Sequence, residues 1–142
     1  MIRWSERFLL EGVKKHDKTI TVISMIQPID FQSDTIIGLR MMGKLTEDDI
    51  KPWAARLDQK SDKPEKLRVY IEYEDVDEVT AKAALQDLKF DVTHLGDFEK
   101  AALVSDKAWT NLPVLAATLI PNLDVKQFST AEKEQARQWI KS

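Results

Sequence analysis

Five carboxylates stand close together at the end of a predicted strand, and they are the densest group of chemically competent side chains in the sequence. They are Glu72, Glu74, Asp75, Asp77 and Glu78. Carboxylate oxygens bind hard cations, and ligand sites of open α/β sheets lie at the carboxyl ends of the strands. The spacing matches no calcium loop and lacks the glycine of its turn, however. The alternative is a solvated loop whose acids stabilise the start of the next helix through its dipole, and we predict no metal site.

Catalytic machinery has little support. The chain has no cysteine and two histidines; His94, near a predicted helix end, has no nucleophile or second acid beside it in a recognisable motif. Ser105 and Asp106 are typical of a helix cap. A glycine-rich phosphate loop and a G-x-S-x-G elbow are both missing from the sequence. We therefore predict a protein that is not an enzyme and that uses no cofactor.

The elements that must position these residues alternate along the chain. β-branched residues predict strands at 19–26 and 35–42, separated by a loop at 27–34. The later elements follow in the order helix 46–59, strand 67–73, helix 79–95, strand 100–104, helix 106–119, strand 125–128 and a helix that begins with Ser129-x-x-Glu132. This order predicts an α/β fold: a mixed, mainly parallel sheet of four to five strands, flanked by about four helices, with an antiparallel first strand.

Two helices contain prolines that bear on where they begin. Thr46-x-x-Asp49 resembles a capping box, but Pro52 would then lie inside the helix at a cost of about 3 kcal/mol, so Asp48 or Asp49 is an alternative cap. In the helix predicted at 106–119, Ser105 or Asp106 is the expected cap and Pro113 predicts a kink.

Composition indicates one globular domain. The chain has 142 residues, is 43% hydrophobic and carries a net charge of −3, so we predict no nucleic-acid partner, since phosphate contacts need clustered positive charge. The sequence has no apolar run of the roughly 18 residues that a membrane span needs, and no cleavage site follows its short apolar stretch near the start. We expect a cytoplasmic protein, with peripheral membrane association as an extension of that expectation.

Several short motifs occur in a characteristic order over residues 37–142. They are GKLT at 43–46 with Asp48 or Asp49, LKFD at 88–91, HLGDFEKAALV at 94–104, DKAW at 106–109, residues 125–128 and residues 134–139. In this order and spacing they resemble the SpoIIAA-like family, whose fold is of the STAS type, that of the anti-sigma-factor antagonists. Lys100 stands where the family often has an arginine, which keeps the charge but loses the planar fork. We expect residues 1–34 to be an extension with the first strand and residues 35–142 to be the STAS-type domain, within one structural domain.

The resemblance implies a binding domain. The family looks similar to lipid carriers of the CRAL-TRIO type, which implies a lipophilic ligand under mobile helices and association with membranes. Phosphorylation-controlled STAS members carry an Asp-Ser pair after the central strand, where this chain has Thr80 among acids that would repel a phosphate. The departure argues against such a switch.

Large apolar residues lie off the main stripes of the two helices at 79–95 and 106–119, namely Phe90, Val114 and Leu115. One interpretation is a plain core; the other is a pair of lid helices over an apolar ligand. We predict a non-enzymatic binding protein for a lipophilic small molecule, with a protein–protein interaction or regulatory module acting as a homodimer as the alternative. The predicted ligand-binding residues are Trp53, Leu88, Phe90, Trp109, Val114 and Leu115.

Overall fold

Five strands form a single sheet in the order β1-β2-β3-β4-β5. The structure, a computed structural model, describes residues 25–43, 45–60, 66–91, 97–107, 109 and 111–142. β1 runs antiparallel to β2, and the other neighbouring pairs are parallel, which confirms the predicted mixed, mainly parallel sheet. The strands are β1 (Ile26–Ile29), β2 (Ile36–Met42), β3 (Leu67–Glu74), β4 (Phe98–Val104) and β5 (Asp124–Phe128).

Four α-helices accompany this sheet in the described part of the chain. Three of them follow β2, β3 and β4 in turn, because parallel neighbours need a crossover connection. The fourth follows β5, after a short 3-10 turn at Thr130–Glu132. The helices are α1 (Glu47–Lys60), α2 (Glu78–Asp91), α3 (Asn111–Leu119) and α4 (Lys133–Lys141).

Each face of the sheet has its own hydrophobic core, because successive strand residues point to opposite faces. On one face Ile71 of β3 packs in a core with α1, α2 and α3, to which Ile50 and Leu112 contribute. On the other face the neighbouring Tyr70 packs in a core with Ala136 and Ile140 of α4. The molecule is therefore a three-layer α/β domain, with three helices on one side of the sheet and α4 on the other.

The first described strand ends three residues later than the sequence pattern predicts. β1 covers residues 26–29, so the predicted loop at 27–34 is wrong for its first three residues, while residues 19–24 lie outside the described part of the chain. Pro28 lies in β1 opposite Leu39. A proline cannot donate to the ladder, but β1 is at the edge of the sheet, where such a residue is tolerated.

The observed starts of α1 and α3 show how each helix accommodates its proline. The backbone N–H and the hydroxyl of Thr46 both donate to the Asp49 carboxylate, at 2.8 and 3.0 Å. Thr46 therefore pairs with Asp49 as the motif predicts, and Pro52 is accommodated inside α1.

The predicted start of α3 at residue 106 is wrong, because the helix begins at Asn111. Pro113 consequently lies in the first turn, where a helix needs no N–H donor, so it gives no reason for a kink.

Gly38 of β2 allows the chain after β1 to fold closely over the sheet. A Cβ atom there would lie 2.5 Å from the Ile29 carbonyl oxygen and 2.7 Å from the Phe31 ring. With no side chain in the way, the Phe31 ring meets the Tyr70 ring edge-on, with their centroids 5.1 Å apart. Phe31 thereby covers a part of the core on this side of the sheet, beside the part that α4 covers.

Candidate functional site

An apolar cavity lies between the sheet and the helices α2 and α3. Its volume is about 70 Å³, and every described residue that lines it is apolar apart from the hydroxyl of Tyr73. Ile71 and Leu103 of the central strands form part of its floor, while Leu85 of α2 and Leu112 of α3 form part of its roof. A space of this chemistry takes hydrocarbon and offers almost nothing to a polar ligand.

Small side chains create this space. Ala81 and Ala84 on α2, Ala116 on α3 and Ala101 on β4 all line the cavity and are all buried. An alanine leaves room that a leucine at the same position would fill, and four of them face one another across the helix–sheet interface. The cavity therefore exists because the sequence places small apolar residues, and not large ones, at these buried positions.

Glu78, the first residue of α2, joins the two helices above the cavity. Its carboxylate oxygen Oε2 accepts the backbone N–H groups of Asn111 and Leu112, each at 2.7 Å. These are two of the unpaired donors at the start of α3, where a negative charge is also favoured by the helix dipole. These two hydrogen bonds hold the N-terminal ends of α2 and α3 together. If the helices move apart while the bonds remain, they must do so at their C-terminal ends.

The predicted ligand-binding residues lie around this region but not on the cavity wall, as far as the structure describes them. Trp53 is buried in the core beneath α1, and Trp109 is buried with its ring centroid 4.8 Å from that of Tyr73. Val114 of α3 is 66% exposed and Leu115 is half-buried. None of these four lines the cavity. The side chains of Leu88 and Phe90, and the whole of His94, lie outside the described residues.

The five clustered carboxylates of the sequence do not converge on one point. Glu72 is buried on the α4 side of the sheet, Asp77 accepts the N–H of Thr80 at 2.8 Å, and Glu78 caps α3. Within the described ranges, no group of three or more acidic, histidine or cysteine side chains is arranged to hold a metal ion. Glu72 is thus an ion-pair partner, and Asp77 and Glu78 cap two different helices. For Asp77 this is the helix-capping role that the alternative interpretation expected.

Glu72 is the centre of a charged cluster that local sequence patterns did not predict. We define the Glu72 cluster as Glu72, Tyr70, Arg40, Lys133 and Arg137. The Tyr70 hydroxyl donates to Oε2 of Glu72 at 2.7 Å. Arg40 Nη2 lies 3.2 Å and Lys133 Nζ 3.6 Å from Oε1, and Arg137 Nη2 lies 3.7 Å from Oε2. Strands β2 and β3 and helix α4 all contribute to it.

The electrostatics of the cluster keep Glu72 ionised. Burial on its own raises the pKa of the Glu72 carboxyl, but the Tyr70 hydrogen bond and the charges of Lys133 and Arg40 outweigh burial, so the pKa falls below its ordinary value. The pKa of Tyr70 is raised, first by burial and then by its bond to the carboxylate. Tyr70 therefore remains a proton donor to Glu72 throughout the physiological range.

Comparison with known proteins places these sites in a family. A family model described as SpoIIAA-like matches residues 36–141, about three quarters of the chain. The match extends from β2 to the end of α4 and thus includes both the cavity and the Glu72 cluster. No curated protein matches the chain. In the part of the chain that the structure describes, each helix is too short or too polar to cross a bilayer.

Proposed function

The chain belongs to the SpoIIAA-like family, and on that premise we propose that it is a non-enzymatic binding module that holds an apolar small molecule between α2, α3 and the sheet. The family has the STAS-type fold, which is typical of regulatory modules. The fold does not identify a ligand. The observation that carries the proposal is the cavity, whose wall is hydrocarbon apart from a single hydroxyl among the described residues. Its place between the two helices and the sheet is where the sequence led us to expect a ligand.

The cavity is too small for a long hydrocarbon chain unless the helices around it move apart. Ligand pockets for drug-sized molecules measure about 300–1,000 Å³, whereas this cavity measures about 70 Å³. A longer hydrocarbon chain would therefore enter only as the helices separate. α3 is the element best suited to move, because it has nine residues, of which Leu112 and Ala116 are the buried ones. The Glu78 bonds would act as its hinge.

Filling the cavity from within should weaken the binding of an apolar probe. Ala116 and Ala117 are neighbours on α3, but Ala116 lines the cavity and Ala117 is exposed. We expect Ala116→Leu to weaken binding of a fluorescent fatty-acid probe by about tenfold or more, since three added carbons occupy the space and one CH₂ alone is worth about 0.8 kcal/mol. Ala117→Leu, the matched control, should stay within about twofold of the unmodified protein.

The same comparison defines failure. Circular dichroism must first show that both variants are folded, because overpacking a core costs about 1–3 kcal/mol. The proposal would be contradicted if the two variants bound the probe with equal affinity. It would also be contradicted if neither variant nor the unmodified protein showed saturable binding.

A second candidate function is a protein-binding regulatory module that acts as a dimer. The observation that favours it is the exposure of two apolar side chains near the joined ends of α2 and α3, Val79 at 76% and Val114 at 66%. In this case the apolar surface is used from outside and the cavity remains empty. Sedimentation that depends on concentration, together with no probe binding, would favour this candidate over the first.

A further inference from the structure

The Glu72 cluster contains more positive charge than its buried carboxylate neutralises. Three cationic side chains, Arg40, Lys133 and Arg137, surround the single carboxylate of Glu72. Within the described residues, Glu72 is the one acid paired with these three cations, so the cluster has a net excess of two positive charges. Such an excess at a fixed place attracts an anion.

The distances show that two of the cations still have donors to offer. Lys133 Nζ and Arg137 Nη2 lie 3.6 and 3.7 Å from the carboxylate oxygens, beyond the 2.7–3.2 Å range of ordinary N–H···O hydrogen bonds. Their side chains are 39% and 31% exposed, and that of Arg40 is 37% exposed. Glu72 thus draws the three cations together, and their outward sides remain accessible to a ligand.

The cations are also held in place before any ligand arrives. The Arg137 guanidinium lies over the rings of Phe31 and Tyr70, 5.3 and 5.4 Å from their centroids. Arg40 lies two residues before the end of β2, and its Nε is 3.3 Å from Oε1 of Glu72. Lys133 is the first residue of α4, where the helix dipole adds positive potential. Fixed donors lose little conformational freedom on binding, which favours affinity.

Other basic side chains on this side of the sheet are committed elsewhere. Arg68 donates to Glu99 at 2.8 Å and to the Ile140 carbonyl at 2.8 Å. Lys100 lies over the ring of Trp139 and reaches the carbonyl of that residue and the Ser142 hydroxyl. These contacts serve the C-terminal end of α4, at the opposite end of the helix from Lys133. Lys126 likewise lies over the rings of Phe128 and Trp139. The three cations around Glu72 therefore form a group apart from these side chains.

We propose that Arg40, Lys133 and Arg137 form a binding site for the phosphate group of a small phosphorylated molecule. Two guanidinium groups and one ammonium group converge there, and these are the donors that recognise phosphate oxygens. The site lies near the carboxyl ends of the parallel strands β2 and β3, the edge where open α/β sheets bind ligands. It is on the opposite face from the apolar cavity and does not depend on the function proposed above.

The test is a titration of the full chain with inorganic phosphate, followed by two-dimensional amide NMR and compared with chloride at the same ionic strength. We expect saturable shifts around α4 with phosphate and none with chloride. Lys133→Gln should weaken phosphate binding about fivefold or more, since it removes one charge-assisted contact. Lys133→Arg should restore the affinity to within about twofold, and Lys141→Gln, at the far end of α4, should leave it unchanged.

Each remaining outcome contradicts the proposal. Unsaturable phosphate shifts, or equal weakening by Lys141→Gln, would show general screening of charge. Unchanged phosphate affinity in the folded Lys133→Gln protein would exclude Lys133 from the site. Binding to vesicles that contain an anionic phospholipid, without binding to free phosphate, would assign the cluster to a membrane surface instead.

Discussion

Replacing Leu112 by alanine is expected to lower the free energy of unfolding by about 3 kcal/mol, the largest effect that we predict for a single substitution. Leu112 is 2% exposed and lines the apolar cavity, so the variant loses buried hydrocarbon and enlarges an existing space. Urea denaturation followed by tryptophan fluorescence measures the loss. Val114→Ala is the control on the same helix, because Val114 is largely exposed and its truncation should cost less than about 0.5 kcal/mol.

The enlarged cavity of the Leu112→Ala protein should also accept a small apolar guest. Cavities lined by aliphatic side chains stay dry and bind molecules such as benzene, and a ligand that binds only the folded state raises its stability. Benzene should therefore raise the melting temperature of Leu112→Ala more than that of the unmodified protein. A loss of stability below about 1 kcal/mol, or a melting temperature that benzene leaves unchanged, would show that the space collapses.

Replacing Glu72 by glutamine is expected to lower the free energy of unfolding by about 2 kcal/mol at neutral pH. Glutamine keeps the shape and can still accept the Tyr70 hydrogen bond, so the loss measures the charge. Removing one partner of a buried ion pair costs about 3–5 kcal/mol. The effect here is smaller because the three cations are about one third exposed and regain water. Glu74→Gln, an exposed neighbour on the same strand, should cost less than about 0.5 kcal/mol.

The contribution of Glu72 should depend on pH in a defined direction. Its pKa is lower in the folded protein than the ordinary value of 4.5. The stabilisation is therefore fully present above that ordinary value and is lost as the pH falls through the lower, folded-state pKa. The difference between the unmodified protein and Glu72→Gln should be greatest at neutral pH and shrink in acid. A difference that is negligible at neutral pH, or that grows on acidification, would contradict the described electrostatics.

The sequence predicted the order of the elements because their patterns are local. Apolar residues at every second position of 67–73 predicted β3, and the Thr46-x-x-Asp49 motif offered the start of α1 that the structure has, beside the alternative caps Asp48 and Asp49. The start of α3 was missed for the opposite reason. Its cap is Glu78, more than thirty residues earlier in the chain, whereas Ser105 offered a nearby cap that forms only a turn to Lys107.

The candidate sites were less predictable because they depend on contacts between distant elements. The place of the cavity followed from two apolar helices over a sheet, but its wall is set by buried alanines such as Ala84 and Ala116. Large off-stripe residues drew attention instead, and Val114 is exposed. Glu72 was grouped with its acidic neighbours in sequence, since nothing local indicated that Lys133 and Arg137 of α4 would meet it across the sheet.

The most direct test of the proposed function is a methyl NMR titration of the protein with decanoate, a ten-carbon fatty acid, using labelled isoleucine, leucine and valine. We predict saturable shifts of the methyl groups that line the cavity, those of Leu85, Leu112 and Ile120, while the exposed methyl groups of Val79 and Val114 change little. Shifts confined to Val79 and Val114, or no saturable shift of any methyl group, would contradict the binding of an apolar ligand in the cavity.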